Sequence, residues 1–355
     1  MHIYQKPFWP EFILTSVYCN FEELHAHLNG SLSPGTLLKL NALHNLNGND
    51  GDADRSERQL QPMELGDQNS LEACFKMFSI AHELTSAPEY VRIATEHVIR
   101  EFHDDNVIYL ELRSTPRAIQ GGMSKKEYIE AIIDAIRASE VSYPKIMVKF
   151  LISVDRKRGY KDARENIQLG IELRKKYAKY VVGIDLSGDP TKESAFIELL
   201  HICREAGLKI AAHCAEVPNP VEVKDILNFK PDRLGHCTCI HPNLGGSKEL
   251  LEMLLASNIP VELCPTSNVK CGTVPNYESH HFQYLYKAGH PISLSTDDKG
   301  VFATSLSKEY EYIAEHFSIG LSDLRKIARS AINYTFASDV EKEKLAALFD
   351  STEYF

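Results

Sequence analysis

From residue 107 to residue 296 short apolar, β-branched runs alternate with amphipathic stretches, seven runs in all. The runs fall at 107–113, 147–154, 181–186, 208–213, 232–236, 260–264 and 291–296. Helical patterning covers 124–139, 161–177, 193–206, 221–229, 247–257 and 281–288 between them. An eighth run, Glu23-Leu24-His25-Ala26-His27-Leu28, comes earlier, followed by helical stretches at 34–46, 70–84 and 88–104, with Ser70 as a helix cap. Strands separated by helices predict a parallel sheet covered by helices. Eight such units in 355 residues predict a (β/α)8 TIM barrel in the α/β class. An open doubly wound sheet would carry a G-x-G-x-x-G turn after its first strand, where this chain has only Gly30. Helices at 306–317, 321–333 and 340–349 close the chain. Residues 1–355 are therefore expected to form one barrel domain. Within it 1–20 match no pattern, and 47–69, rich in Gly, Asp, Asn and Arg, are expected to form a mobile loop that could close as a lid.

The net charge of −10 opposes a protein that grips a nucleic-acid backbone, while leaving room for a small anionic ligand in a local cationic pocket. The longest N-terminal apolar run, residues 12–18, is far below the roughly 18–20 residues of a membrane span. Pro10 and Glu11 interrupt what could pass for a signal peptide. The eight cysteines are scattered and form no C-x-x-C pair, which suits a reducing compartment. A cytosolic monomer without membrane or nucleic-acid partners is expected.

In such barrels the C-terminal strand ends carry the chemistry. Here they carry His25 and His27; Arg113-Ser114-Thr115-Pro116-Arg117; Asp155-Arg156; Ser187-Gly188-Asp189; His213-Cys214-Ala215-Glu216; Gly235-His236; Thr266-Ser267-Asn268; and Asp297-Asp298. Side chains two apart on a strand share a face, so both histidines of His25-Ala26-His27 point one way. In a chain with fifteen histidines that pair means little alone; polar residues at all eight ends define a site. His25, His27, His213 and Asp297 offer three imidazoles and a carboxylate, a donor set that suits one zinc ion with a position left for water. Zinc lowers the pKa of a bound water to about 7. His236 is then placed to orient or deprotonate that water, Glu216 to protonate the substrate, and Asp298 to bind a second substrate atom. The fourth strand offers no lysine to bridge a second metal.

The order H-x-H, S-G-D, H-x-x-E, G-H, T-D-D resembles the adenosine deaminase branch of the amidohydrolase superfamily over residues 22–340. The resemblance is strongest to its members acting on N6-methylated AMP, through His25-Ala26-His27-Leu28-Asn29-Gly30-Ser31, where Asp is usual in place of Asn29. Glu111-Leu112-Arg113-Ser114-Thr115-Pro116-Arg117 and Ser295-Thr296-Asp297-Asp298-Lys299-Gly300-Val301-Phe302 carry it too. It implies His25, His27, His213 and Asp297 as zinc ligands, Glu216 as proton donor to purine N1, His236 at the water, Asp298 at N7 and the Gly188 N–H at N3. His27, Asn29, His82, Ser114, Thr115, Pro116, Arg117 and Asp155 match the remaining substrate-contacting positions. The implied reaction is hydrolysis at C6 of N6-methyl-AMP, or a related N6-substituted AMP, to IMP and an alkylamine. Ser114, Thr115 and Arg117 could donate to a 5′-phosphate, and neutral Asn29 removes a repulsive charge; the lesser alternative is that Arg117 pairs with a surface carboxylate.

The chain departs from the family's usual pattern at Asn20-Phe21-Glu22, where a basic residue and Val are usual. The competing readings are a deaminase of free adenosine and an inactive purine-binding barrel. The zinc deaminases that act on nucleic-acid bases use H-x-E with P-C-x-x-C, absent here.

Overall fold

The computed structural model describes residues 20–46, 71–189, 191 and 195–351; the expected N-terminal extension, the loop at 47–69 and the Ser70 cap lie outside them, apart from Asn20. Eight strands pair in sequence order, all parallel: β1 (Phe21–His27), β2 (Val107–Ser114), β3 (Met147–Asp155), β4 (Val181–Ser187), β5 (Lys209–Cys214), β6 (Arg233–His236), β7 (Val261–Leu263) and β8 (Ile292–Leu294). The ring closes just beyond β8. Asp297 pairs with Ala26; its N–H donates to His25 O at 2.8 Å, and its carbonyl accepts from His27 N at 2.9 Å. The fold is a (β/α)8 barrel, as the alternation predicts.

The helices following β1 are α1 (Pro34–Leu46), α2 (Leu71–Leu84) and α3 (Pro88–Asp104). Those between later strands are α4 (Lys125–Ser142), α5 (Gly159–Lys176), α6 (Ile197–Glu205), α7 (Pro220–Phe229) and α8 (Lys248–Ser257). Then come α9 (Pro265–Lys270), α10 (Phe282–Lys287), α11 (Leu306–Phe317), α12 (Leu321–Tyr334) and α13 (Asp339–Ser351). Their starts follow local chemistry. Ser124 and Glu127 form a reciprocal capping box on α4, and Asn219, Ser247 and Ser305 accept backbone N–H groups at the starts of α7, α8 and α11. The structure differs from the sequence reading after β7, where α9 replaces an expected loop. Pro265 at its first turn favours the helix, but six residues are too few for periodicity to register. Among the described residues no helix is long and apolar enough to cross a membrane.

The strands alternate apolar outward and charged inward. Leu110, Leu112, Ile184 and Leu186 join the core beneath the helices, while Glu111, Arg113 and Asp185 point into the barrel. There Arg113 donates to Asp185 at 2.9 Å and to Glu262 at 3.0 Å, and Arg233 donates to Glu262 at 2.6 Å and to Glu111. All five side chains are buried. Arg233 also ties the C-terminal helices to the barrel: it donates to Tyr334 O at 2.8 Å and lies 3.6 Å over the Phe336 ring, while Phe336 N donates to Glu111. Removing one partner of a buried ion pair costs about 3–5 kcal/mol, because the other charge stays desolvated and unmatched. Arg233→Leu is therefore expected to lower stability by about that amount in urea unfolding. A loss within the ±0.5 kcal/mol usual for surface sites would show that the network is not a structural element.

Candidate metal centre and active site

At the C-terminal mouth, β1, β5 and the turn after β8 bring four donor atoms together. His25 Nε2 lies 3.1 Å from His213 Nε2 and 3.3 Å from Asp297 Oδ1; His27 Nε2 lies 3.2 Å from His213 Nε2 and 3.4 Å from Asp297 Oδ1. A tetrahedral ion with bonds of about 2.0–2.1 Å separates its donors by roughly 3.3–3.4 Å, so these spacings match the edges of a zinc-sized tetrahedron. The hydrogen placement agrees. His25 Nδ1 faces Glu262 Oε2 at 2.7 Å, which puts the proton on Nδ1 and leaves Nε2 a lone pair. His213 Nδ1 lies 3.1 Å from Asp185 Oδ1, out of line for a straight hydrogen bond but in the field of that carboxylate. Two imidazole nitrogens 3.1 Å apart repel as bare lone pairs, so either a proton or a cation must sit between them. In the connected network four carboxylates (Glu111, Asp185, Glu262, Asp297) meet two guanidinium groups (Arg113, Arg233); with the imidazoles neutral, as metal binding requires, two excess negative charges are left for a divalent cation to balance. The residues fit a metal ion.

Without a metal, protons take the place of the cation. Burial and then Arg113 oppose charge on His25, yet the hydrogen bonds its ring donates to Asp297 and Glu262 outweigh them and push its pKa up to about 9, so without a metal its Nε2 also holds a proton that a cation would displace. Burial lowers His27 to about 3. Burial also works against charge on Asp297, but its hydrogen bond with His25 and the surrounding imidazoles hold it well below the usual carboxylate range. Ser267 Oγ donates to Asp297 Oδ2 at 2.7 Å, leaving Oδ1 for the histidine side.

Around this centre stand the other residues singled out in the sequence. His236 is buried, with Nε2 3.9 Å from Asp297 Oδ2 and 4.0 Å from Glu216 Oε1. Glu216 is the more open group, its side chain 27% exposed. Burial and the neighbouring Asp297 and Glu216 hold Asp298 well above the usual range, as a neutral acid able to donate a proton. Its Oδ1 has no hydrogen-bond partner among the described residues. Gly30 makes room for it, since a Cβ there would fall 1.6 Å from Asp298 Oδ1. Gly188, at φ 79°, lies against Asp155 in the same way: a Cβ would come within 2.0 Å of Asp155 Oδ1. Ala215, His236, Cys237 and Asp297 also take left-handed backbone, at φ 52°, 60°, 57° and 61°. Such residues cost roughly 1–3 kcal/mol each and persist where surrounding structure holds them.

The remaining residues line one flank. Ser114 Oγ is 2.7 Å from Tyr128 Oη, and Asn29 Nδ2 donates to the same oxygen at 3.2 Å. Thr85 Oγ1 donates to Ala81 O at 2.6 Å and lies 3.4 Å from Asn29 Oδ1. Arg117 is buried rather than paired with a surface carboxylate. It donates to His82 O and Thr85 O at 2.8 Å each, and to Thr85 Oγ1, so it caps the C-terminal carbonyls of α2. Arg158 joins from β3's end, donating to Pro116 O at 3.2 Å and reaching 3.7 Å from Asp155 Oδ2. Burial, then Arg117 and Arg158, lower His82 to about 4, so this flank carries two cations beside a neutral imidazole. Thr115 is half-buried just past the end of β2. Sequence reading missed Thr85, Tyr128, Arg158, Asp185 and Glu262. Asp185 and Glu262 had a legible signal: a carboxylate inside an apolar strand needs a buried partner.

The fold and the four-donor centre define a metal-dependent hydrolase barrel. The family pattern described as adenosine deaminase matches residues 21–352. The N6-methyl-AMP deaminase of Homo sapiens is 45% identical over 328 residues, covering 91% of this chain and 90% of that protein. The crystal structure of the Arabidopsis N6-mAMP deaminase superposes with a TM-score of 0.85 at 38% identity, covering 96% of this chain and 99% of that one. Arabidopsis ADAL complexed with IMP gives 0.84 at 38%, covering 95% and 98%. The chain belongs to the adenosine deaminase family.

Outer hydrogen bonds to metal ligands typically contribute 10–100-fold in affinity. Ser267→Ala is therefore expected to weaken zinc binding roughly 10–100-fold in competition with a chromogenic chelator, with the fold kept. Unchanged affinity would mean that Asp297 needs no such support.

Proposed function

We propose that this chain is a zinc-dependent hydrolytic deaminase that converts N6-methyl-AMP and water to IMP and methylamine. The observation that carries the reading is the set of four donors at tetrahedral spacing with Glu216 and Asp298 beside it. His25, His27, His213 and Asp297 would hold one zinc ion per chain. Zinc supplies a bound water acidic enough to attack near neutral pH. Glu216 delivers a proton to purine N1 as C6 is attacked, which makes the ring electrophilic and takes the charge that would otherwise build on nitrogen. Asp298, held neutral, donates to N7, and the Gly188 N–H donates to N3, so the base is fixed along three ring nitrogens. The amine leaves as the C6 carbonyl forms, its proton drawn from the same acid–base groups.

Arg117, Arg158 and the donors of Asn29, Ser114 and Tyr128 support a 5′-phosphate on the opposite flank, with His27, His82, Thr115, Pro116 and Asp155 completing the wall. The relatives that act on N6-methyl-AMP and the relative complexed with IMP support this substrate class. A cytosolic location suits the free cysteines, five of them buried among the described residues, and the single-domain monomer reading is kept as part of the proposal.

A side-by-side ultraviolet assay with N6-methyl-AMP, AMP, N6-methyladenosine and adenosine tests the substrate; turnover is expected on N6-methyl-AMP. Preference for adenosine would keep the barrel and the metal centre and remove the phosphate reading. Glu216→Gln is expected to keep zinc while kcat falls by about 10²–10⁴. Arg117→Ala loosens α2 as well as the phosphate flank, so the informative quantity is a ratio. kcat/KM should fall much more for the nucleotide than for the nucleoside, and equal losses would place the phosphate elsewhere.

A further inference from the structure

His236 has two conceivable parts in the reaction: taking a proton from the attacking water, or donating a hydrogen bond to its oxygen. The first needs a lone pair on Nε2, the second a proton there. A chain of buried hydrogen bonds on the far side of the ring decides between them.

The chain starts at a group with no choice. The Phe282 backbone N–H can only donate, and it donates to His280 Nδ1 at 3.1 Å. His280 therefore carries its proton on Nε2, and burial keeps the ring neutral. Nε2–H donates to the Asn268 side chain at 3.0 Å, so the atom it meets is the carbonyl Oδ1. That fixes the amide's orientation, which heavy-atom positions alone leave ambiguous. Asn268 Nδ2 then faces His236 Nδ1 at 3.2 Å and must donate to it. With Nδ1 occupied as an acceptor, neutral His236 carries its proton on Nε2, the nitrogen directed at Glu216 and Asp297. His281 holds the same residue from a second side, Nε2–H donating to His236 O at 2.6 Å. Asn268, His280 and His281 are all at most 2% exposed, so water does not compete for these bonds.

We infer that Asn268 and His280 are positioning residues that lock His236 as an Nε2–H donor to the attacking oxygen, so that His236 does not serve as the base. The inference rests on the deaminase reading for what the oxygen does, and on geometry alone for where the proton sits. It separates the histidines of the site into two kinds. Glu262 lies behind His25, puts its proton on Nδ1 and frees Nε2 for a metal, and the Asp185 carboxylate stands 3.1 Å behind His213 Nδ1. An amide N–H behind His236 does the reverse, so His236 donates at Nε2 instead of ligating, although its ring stands within 5.0 Å of His25. Asp297, and Glu216 once it has given its proton to N1, are the two carboxylates within 4.0 Å of His236 Nε2 and are left as the groups able to accept the water's proton.

The test is an exchange of hydrogen-bond polarity without a change of shape. In Asn268→Asp one carboxylate oxygen still accepts from His280, while the other accepts from His236 and draws its proton to Nδ1. Two-bond ¹H–¹⁵N correlation spectra of the zinc-loaded, histidine-labelled chain read the tautomer directly, with the His236 signal assigned by its loss in His236→Asn. Wild type is expected to show the Nε2–H form. Asn268→Asp is expected to show the Nδ1–H form, with kcat reduced roughly 10²–10⁴-fold and KM little changed, as for a catalytic histidine held in the wrong tautomer or a lost transition-state donor. His280→Gln, whose amide can still donate to Asn268, should keep the wild-type tautomer and most of the activity. An Nδ1–H or doubly protonated His236 in wild type overturns the inference, and that spectrum needs no variant to fold. A switched tautomer with wild-type kcat overturns it too, as does a lowered kcat with the tautomer unchanged. Inactivity on every purine would overturn the deaminase reading and leave the tautomer assignment standing.

Discussion

Glu262 is the residue on which the rest of this structure leans. Fully buried on β7, it accepts from Arg113, Arg233 and His25, so one carboxylate joins two barrel-spanning guanidinium groups to a histidine of the candidate metal centre. Burial alone would raise its pKa, but the two arginines and then His25 hold it well below the usual carboxylate range. A charge that deep is tolerated only because every side of it is matched. Arg113 carries the arrangement on to Asp185 and so to His213; Arg233 carries it to Glu111 and the C-terminal helices. The interior that a barrel usually fills with branched aliphatic layers is here an ion network. Its stability and the aim of the two histidines are therefore one property rather than two.

The mouth of the barrel is built against local preference. Four residues at the ends of β5, β6 and β8 take left-handed backbone although none is glycine. The network and the closing hydrogen bonds between His25, His27 and Asp297 hold them there. The gain is directional. A strand end that turns sharply re-aims its last side chain across the mouth, so His236 and Asp297 face the same volume as Glu216. The same packing makes Asp298 a neutral acid beside an ionised Asp297, so adjacent carboxyls hold different protonation states because one has imidazole partners and the other has none.

The barrel and the donor set were legible because each depends on residues whose character shows one position at a time. Apolar alternation marks strands, and His, Asp and Glu at strand ends mark the rim. Tyr128 was not legible: it sits on α4, 14 residues beyond the Ser114 it bonds, in a position that patterning reads as buried core. The anchoring of Arg117 was not legible either: its guanidinium meets backbone carbonyls at the end of α2, which leave no trace in a sequence. Asn268 stood in view at a strand end, but its meaning depends on His280 and on one backbone N–H beyond it.

By itself, then, the sequence determined the order of strands and helices, the closed parallel barrel they imply, and which ionisable residues reach its catalytic rim. These follow from periodicity and position along the chain. Only the tertiary structure decided which nitrogen of each histidine is free, which carboxyl is ionised and which arginine is already engaged. Those properties belong to hydrogen-bond partners far away in the chain, 237 residues for His25 and Glu262, and no local pattern encodes a partner that folding alone brings near.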